Sequence, residues 1–281
     1  MTELAFMAEA LAFIEAHLQA PIAVADMADA AGYSLYHFCR VFNATTHHTP
    51  YSYLIRRRLA EAARALVTTD ARVIDIAYDY QFNNPETFTR ACRRIFGATP
   101  SQLRETGVLD PHRLMPPLTT EHLAYLAEYG EDLRPVFVQR QPLHLAGLMI
   151  WRTDESAECS ALWARFEALL PRCAALSPPP DRYLLRWYPP DWGAHGSVVF
   201  VGAALPEPTF DLTSTPLVQK TLPGGPYVRF QHAGPPETLP LLLGYVSHTW
   251  LPNSERTFSA PFSLAHHKSG VRTLFFPLSS T

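Results

Sequence analysis

Residues 25–50, ADMADAAGYSLYHFCRVFNATTHHTP, and residues 74–100, IDIAYDYQFNNPETFTRACRRIFGATP, are two copies of one pattern, and their reading decides the fold of the first third of the chain. Asp26, Met27, Ala28, Tyr33 and Ser34 match Asp75, Ile76, Ala77, Phe82 and Asn83; after a one-residue insertion, Phe38, Arg40, Thr49 and Pro50 match Phe88, Arg90, Thr99 and Pro100. Each copy is a short helix, Ala-rich in the first, then a tight turn and a second helix, which is the helix-turn-helix arrangement. Ser34 is placed to cap the second helix of the first copy, and Asn84 followed by Pro85 to cap that of the second. Each Thr-Pro pair starts a further helix in the same way.

Outward from this repeat, Leu4, Met7, Leu11, Ile14 and Leu18 recur at three- and four-residue steps and predict an opening helix with one apolar stripe. The stretch Tyr51 to Val67 is continuously helical in pattern and can hold the two copies at fixed separation. Of 26 prolines only Pro21, Pro50, Pro85, Pro100 and Pro111 precede residue 115. Proline is excluded from helix interiors, so the first part can be all helical and the remainder must be mostly strands and loops. At 281 residues the chain exceeds one average core. The expected division is a reader over 1–107, a linker over 108–132 and a second domain over 133–281.

Composition narrows the class. With 47% hydrophobic and 17% charged residues the chain is globular rather than disordered. Cys39, Cys92, Cys159 and Cys173 show neither metal-ligand nor disulfide spacing, and no cofactor or metal is expected. No run approaches the roughly 20 apolar residues of a membrane span, so a cytoplasmic protein without a membrane partner is expected. Net charge is −3, so affinity for nucleic acid has to come from placement. The arginines are clustered: Arg56, Arg57 and Arg58 are consecutive, and Arg90, Arg93 and Arg94 share one helical stretch.

A helix lying in the major groove presents side chains at three- and four-residue spacing to base edges. With Leu35, Phe38 and Phe42 assigned to the core, the first reading helix offers Tyr36, His37, Cys39, Arg40 and Asn43. Glu86, Thr87, Arg90, Arg93 and Arg94 project from the second, away from Phe88, Ala91 and Ile95. Arg40 and Arg90 occupy equivalent positions in the repeat. The alternative is that these arginines make surface pairs with nearby acids, each worth under about 1 kcal/mol.

GYSLYHFCRVF, TTHHTPYSYLIRRRLAEAARAL and DIAYDYQFNNPETFTRACRRIFGATPSQLR together resemble the AraC/XylS DNA-binding domain over about residues 5 to 105. The resemblance implies seven helices, recognition helices near 34–44 and 84–96, double-stranded DNA as partner, phosphate contacts from helix N-termini and basic side chains, and contact with RNA polymerase. A reader placed first resembles Rob-type members. Cys39 stands where a longer polar base-reader is usual, His47 and Gln81 replace glycines, and Cys92 replaces an aromatic core residue.

Beyond residue 133, strand-like runs flank two helical windows, Ser160 to Ala175 and LPLLLGYVSHTWL, in two β-β-α-β-β halves, with hairpin turns expected at Gly224-Gly225 and Ser269-Gly270. An α+β domain follows: an antiparallel sheet with two helices on one face and a groove on the other. Trp151, Tyr183, Trp187, Tyr188, Trp192, Phe230, Trp250, Phe258 and Phe262 exceed the needs of one small core, and such walls suit flat hydrophobic ligands. LAGL, ALWARFEALLP, PPPDRYLLRWYP, GGPYVRFQHAGP and HTWLPNS resemble the GyrI-like effector-binding domain over roughly 133–279. The resemblance implies an amphipathic small-molecule effector held between the halves. Relatives place a glutamate on the penultimate strand where this chain has Ser263, so a neutral or hydrogen-bonding ligand is expected, with His266 beside it. Some GyrI-like proteins hydrolyse strained rings with that glutamate, and others inhibit a DNA enzyme. Ser263 speaks against the hydrolase, so the expected function is ligand-modulated, sequence-specific transcription regulation and not catalysis.

Overall fold

In the computed structural model, Pro50, Pro85 and Pro100 open helices and no proline interrupts one through the first 106 residues. The structure describes residues 3–152, 159–172, 181–188, 196–205, 215–232, 234–268 and 271–279. Seven helices form this region: α1 (Glu3–Ala16), α2 (Val24–Ala30), α3 (Leu35–Thr46), α4 (Pro50–Thr68), α5 (Val73–Asp79), α6 (Pro85–Phe96) and α7 (Pro100–Thr106). The repeat survives as matched capping chemistry. Ser34 Oγ accepts from His37 N at 3.4 Å, and Asn84 Oδ1 accepts from Thr87 N at 2.8 Å. Thr49 and Thr99 each accept from a backbone N–H three residues on, at 3.2 Å, with proline at the first helical position. Left-handed backbone follows α2 and α5 at Gly32 (φ 67°) and Gln81 (φ 63°), and ends α3 and α6 at His47 (φ 59°) and Gly97 (φ 74°). Two of the four positions thus carry a side chain where glycine is free of strain.

Helix α4 is shared by two hydrophobic cores. Its Leu54, Ala60 and Ala63 join Met7, Leu11, Ile14, Met27, Phe38 and Phe42, while Leu59, Ala62 and Leu66 join Ile76, Phe82, Phe88 and Cys92. One helix belonging to both cores fixes the two copies to each other. Burial pushes the Cys92 thiol up to about 12, so it stays protonated.

The chain divides into two units: Met1–Gly130 with Leu241–Ser254, and Glu131–Pro240 with Glu255–Thr281. These boundaries differ from 1–107, 108–132 and 133–281 in two places. Residues expected as a linker hold a short 3₁₀ turn (Pro111–Arg113) and α8 (Thr120–Tyr129), and their Leu114, Met115 and Leu123 are buried in the first core. Residues 241–254, expected to cover the sheet, cluster with the first unit. They comprise most of α10 (Leu239–Tyr245), a π-helical turn (Val246–Trp250) and α11 (Leu251–Asn253). There His48 Nε2 hydrogen-bonds Thr249 Oγ1 at 3.0 Å, Tyr245 meets the His47 ring edge-on at 5.4 Å, and His248 Nε2 donates to the Pro111 carbonyl at 3.3 Å.

In the second unit the strands are β1 (Val136–Arg140), β2 (Leu143–Arg152), β3 (Arg182–Trp187), β4 (Ser197–Ala204), β5 (Val218–Leu222), β6 (Gly225–His232), β7 (Phe262–Lys268) and β8 (Val271–Pro277). With α9 (Ser160–Leu169) and α10 between them, the β-β-α-β-β order occurs twice. All eight strands form one antiparallel sheet in the order β1-β6-β8-β7-β3-β4-β2-β5. The hairpin expected at Gly224-Gly225 does not form, because β5 pairs with β2 and β6 with β1 and β8. β7 and β8 do pair, though the Ser269-Gly270 turn lies outside the described residues. Links as short as Gln141-Pro142 and Pro223-Gly224 join strands far apart in the sheet order. The sheet must therefore curl until its edges approach, and a Cβ on Gly224 would meet Pro142 Cδ at 2.8 Å and the Arg140 carbonyl at 3.0 Å.

Candidate nucleic-acid interface and effector face

Helix α3 buries Phe38, Val41 and Phe42, which turns Tyr36, His37, Arg40 and Asn43 to solvent and leaves Cys39 half-buried. Tyr36 is 77% exposed. Leu35, assigned to the core from sequence, is 51% exposed, because Val41 instead completes the buried stripe with Phe38 and Phe42. Helix α6 buries Phe88 and Cys92. Glu86, Arg90, Arg93 and Arg94 are exposed and Thr87 is half-buried, with Arg90 Nη2 donating to Thr87 Oγ1 at 3.4 Å. The side chains of Ser34 and Asn84 cap their helices, so their contribution is to present the first-turn N–H groups of α3 and α6.

Among the described residues no carboxylate forms an ion pair with Arg40, Arg90, Arg93 or Arg94; the acids paired in this region are Glu15, Glu61, Asp75 and Asp110, with other arginines. These four exposed guanidinium groups, one on α3 and three on α6, are suited to meeting an anionic polymer.

The consecutive arginines behave otherwise. Arg56, Arg57 and Arg58 are all buried, so this cluster adds nothing to the exposed basic residues. Arg57 donates to both oxygens of Glu15 (2.7–3.1 Å), to Glu61 Oε1 (2.8 Å) and to the Met115 carbonyl (2.6 Å). Burial works against its charge, but the Glu15 and Glu61 contacts outweigh that and hold its pKa above the ordinary value. Arg58 donates to the Leu18 and Ala20 carbonyls. Arg56 sits in a positive environment, pulled down to about 10 by burial and then by Arg94. The sequence signal for burial is periodic: the triplet falls between Leu54 and Leu59, on a helix whose two flanks belong to different cores.

The residues expected to line one effector groove divide between opposite faces of the curled sheet, because strand alternation sends neighbours to opposite sides. Tyr183, Trp187, Phe262, His266 and Trp151 share one face by register. Tyr183 stacks on His266 at 4.5 Å and Trp187 on Phe262 at 5.7 Å; Tyr183 and Phe262 are buried in a core with Leu185, Phe200, Tyr227, Leu264 and Phe275, while Trp151 is half-exposed. Among the described residues, that face carries its own stacked and packed side chains. Phe230 and Ser263 are buried on the other face. Tyr188 donates its backbone N–H to the Pro261 carbonyl at 2.8 Å, Trp250 belongs to the first unit, and Trp192 lies outside the described residues. His266 pairs with Asp181 at 3.1 Å, although burial lowers its pKa. A cleft of about 380 Å³ lined by Glu131, Asp132, Arg134, Val136, Arg229 and Gln231 contains none of the expected residues.

One residue absent from the sequence-based expectation stands beside Ser263. Arg186 is its register partner on β3 and is 4% exposed. The available signal was an arginine set between Leu185 and Trp187 in the apolar stretch of the strand.

Residues 27–106 match a helix-turn-helix domain family. The chain is 35% identical over 118 residues to the transcriptional regulator Rob of Salmonella typhimurium, covering 42% of this chain and 41% of Rob. It is 38% identical over 94 residues to the regulatory protein SoxS of Escherichia coli, covering 34% of this chain and 88% of SoxS. A transcriptional regulator structure with an AraC-type DNA-binding domain, from Chromobacterium violaceum, aligns with a TM-score of 0.36 and 25% identity over 37% of this chain and 93% of its own. The chain spans about two fifths of the length of the Rob relatives it matches.

Proposed function

The chain belongs to the AraC/XylS family of transcription regulators, and from that premise we propose that residues 1–107 read double-stranded DNA sequence-specifically while residues 133–281 bind a small-molecule effector that alters the reading. The observation that carries the first half is the pair of capped, duplicated helices α3 and α6, each presenting exposed and unpaired arginine. Arg40 and Arg90 are the base-reading candidates, since a bidentate arginine suits the O6 and N7 edge of guanine. Tyr36, His37, Cys39, Asn43, Glu86 and Thr87 flank them, while Arg93 and Arg94 hold phosphates, with the α3 and α6 N-termini adding N–H donors. Glu86 repels phosphate and suits the amino group of cytosine. The doubled β-β-α-β-β order supports a GyrI-like reading of the second unit. RNA polymerase is the proposed protein partner, and the cytoplasm the proposed site of action.

The test is selection of bound fragments from random DNA, with and without candidate compounds, followed by Arg40→Ala and Arg90→Ala on the selected site. Each substitution is expected to cost roughly 1–3 kcal/mol there and little on unrelated DNA. Equal losses on every sequence would make these side chains phosphate clamps. An operator affinity that no compound moves would remove the effector half of the proposal.

A further inference from the structure

Alternate residues of a strand share a sheet face, so Arg182, Leu184 and Arg186 of β3 lie together, opposite Tyr183, Leu185 and Trp187. Helix α9 covers their face: its Glu167 pairs with Arg182 at 2.7 Å, and its Trp163 meets the ring of His267, the register partner of Arg182, at 5.9 Å. Arg186 is buried there beside two hydroxyl residues. Ser263 is its partner on β7; its partner on β4 is Val199, and Ser197, two residues along, faces the same side. Both serines are buried.

The guanidinium lacks a counter-charge. Arg186 Nε has no hydrogen-bond partner, and among the described residues no carboxylate pairs with it. The acids nearest in the sheet pattern are engaged elsewhere, Glu167 with Arg182 and Asp181 with His266 and Lys268. Guanidinium cannot discard its proton to escape burial, as a lysine or histidine would. A buried cation without a paired anion is strongly disfavoured unless something else supplies the charge. The surroundings deepen the imbalance: His267, on the same face, is held down to about 4 by burial and then by the positive charges of Arg272, His266 and Arg182.

We propose that this face binds an amphipathic carboxylate, which Arg186 grips through two parallel N–H donors while the Ser263 and Ser197 hydroxyls donate to the remaining oxygen lone pairs. Leu184 and Leu274 lie on the same side of the sheet and make the surroundings of Arg186 apolar. This rests on the reading of the second unit as an effector domain and sets the sign of the effector's charge. It replaces the neutral ligand expected from Ser263 alone, because that expectation left Arg186 out of the balance.

Three probes with one aromatic body separate the alternatives: naphthoate, naphthamide and naphthylmethylammonium, titrated calorimetrically into the full chain. Naphthoate is expected to bind roughly tenfold or more tightly than naphthamide, with the ammonium weakest. Arg186→Met should bring naphthoate and naphthamide to within about twofold of each other. Ser263→Glu should abolish naphthoate binding by giving Arg186 an internal partner, and should raise the thermal midpoint of the free chain. The second variant answers even where Arg186→Met fails to fold. Carboxylate preference that persists in Arg186→Met, a midpoint lowered by Ser263→Glu, or no binding of any probe would overturn the assignment. Ammonium bound more tightly than naphthoate would also overturn it, yet leave the effector reading intact; that reading falls only with an operator affinity indifferent to every compound.

Discussion

Substituting Arg57 by methionine should destabilise the reader while leaving its DNA-facing side chains untouched. Arg57 is 2% exposed and ties together three separated stretches: Glu15 of α1, Glu61 of its own helix α4, and the Met115 carbonyl beyond the Pro111–Arg113 turn. Removing one partner of a buried ion pair costs about 3–5 kcal/mol, because the charge left behind loses its compensation. Here the orphaned groups, Glu15 and Glu61, are 23% and 27% exposed and can rehydrate. The lower end, about 3 kcal/mol, is therefore expected. Methionine fills most of the apolar volume, so little of the loss arises from a cavity. In a unit of this size each kcal/mol moves the thermal midpoint by about 2–4 °C, giving a fall of roughly 6–12 °C for the reader. Arg57→Lys should recover only part of this, since an ammonium cannot make the two-pronged contact with Glu15. The assay is urea unfolding followed by helical circular dichroism, with unchanged slope as the check that one transition is being compared. A loss below about 1 kcal/mol at constant slope, the range of solvent-exposed pairs, would refute the assignment of Arg57 as the tie between the three stretches.

Acid should loosen the segment Leu241–Ser254 from the rest of its unit. Burial, aided by nearby Arg56, holds His48 down to about 3 and His248 to about 4, so both are neutral while the segment is docked. Released histidines titrate near 6.5, so docking is at full strength above that pH. It weakens as pH falls from there towards 4 and 3, by up to about 1.4 kcal/mol per pH unit for each histidine. Protection from hydrogen exchange across 241–254, taken relative to the intrinsic amide rate at each pH, should fall between pH 7 and pH 5, and His48→Gln should flatten the profile; protection independent of pH would count against it. In the second unit, Gly147→Ala should destabilise the sheet by several kcal/mol, since a Cβ there would lie 2.0 Å from the Val201 carbonyl and 2.7 Å from the Phe200 ring. Calorimetry with an unchanged second transition would show that the strands can part at no cost.

The reader was legible because its information is local. Caps at Ser34, Thr49, Asn84 and Thr99 act within four residues, prolines mark helix starts, and the apolar period assigns Phe38 and Phe88 to the core without knowledge of any partner. Exposure of Arg40 and Arg90 follows from the same period. Leu35 escaped it because a first-turn residue has no preceding turn to pack beneath, so its pattern match carried no burial.

What the sequence by itself determined was therefore the two capped helix pairs, the strand and helix order of both halves, and the surface on which the duplicated arginines stand. Only the tertiary structure decided that Arg56, Arg57 and Arg58 were internal, that Gly224-Gly225 links an edge strand to one near the opposite edge, that residues 241–254 join the first unit, and that Arg186 meets Ser263. Helix periodicity and capping arise from contacts within one or two turns, whereas the partner of a strand and the counter-charge of a buried cation are chosen by chain segments tens of residues away.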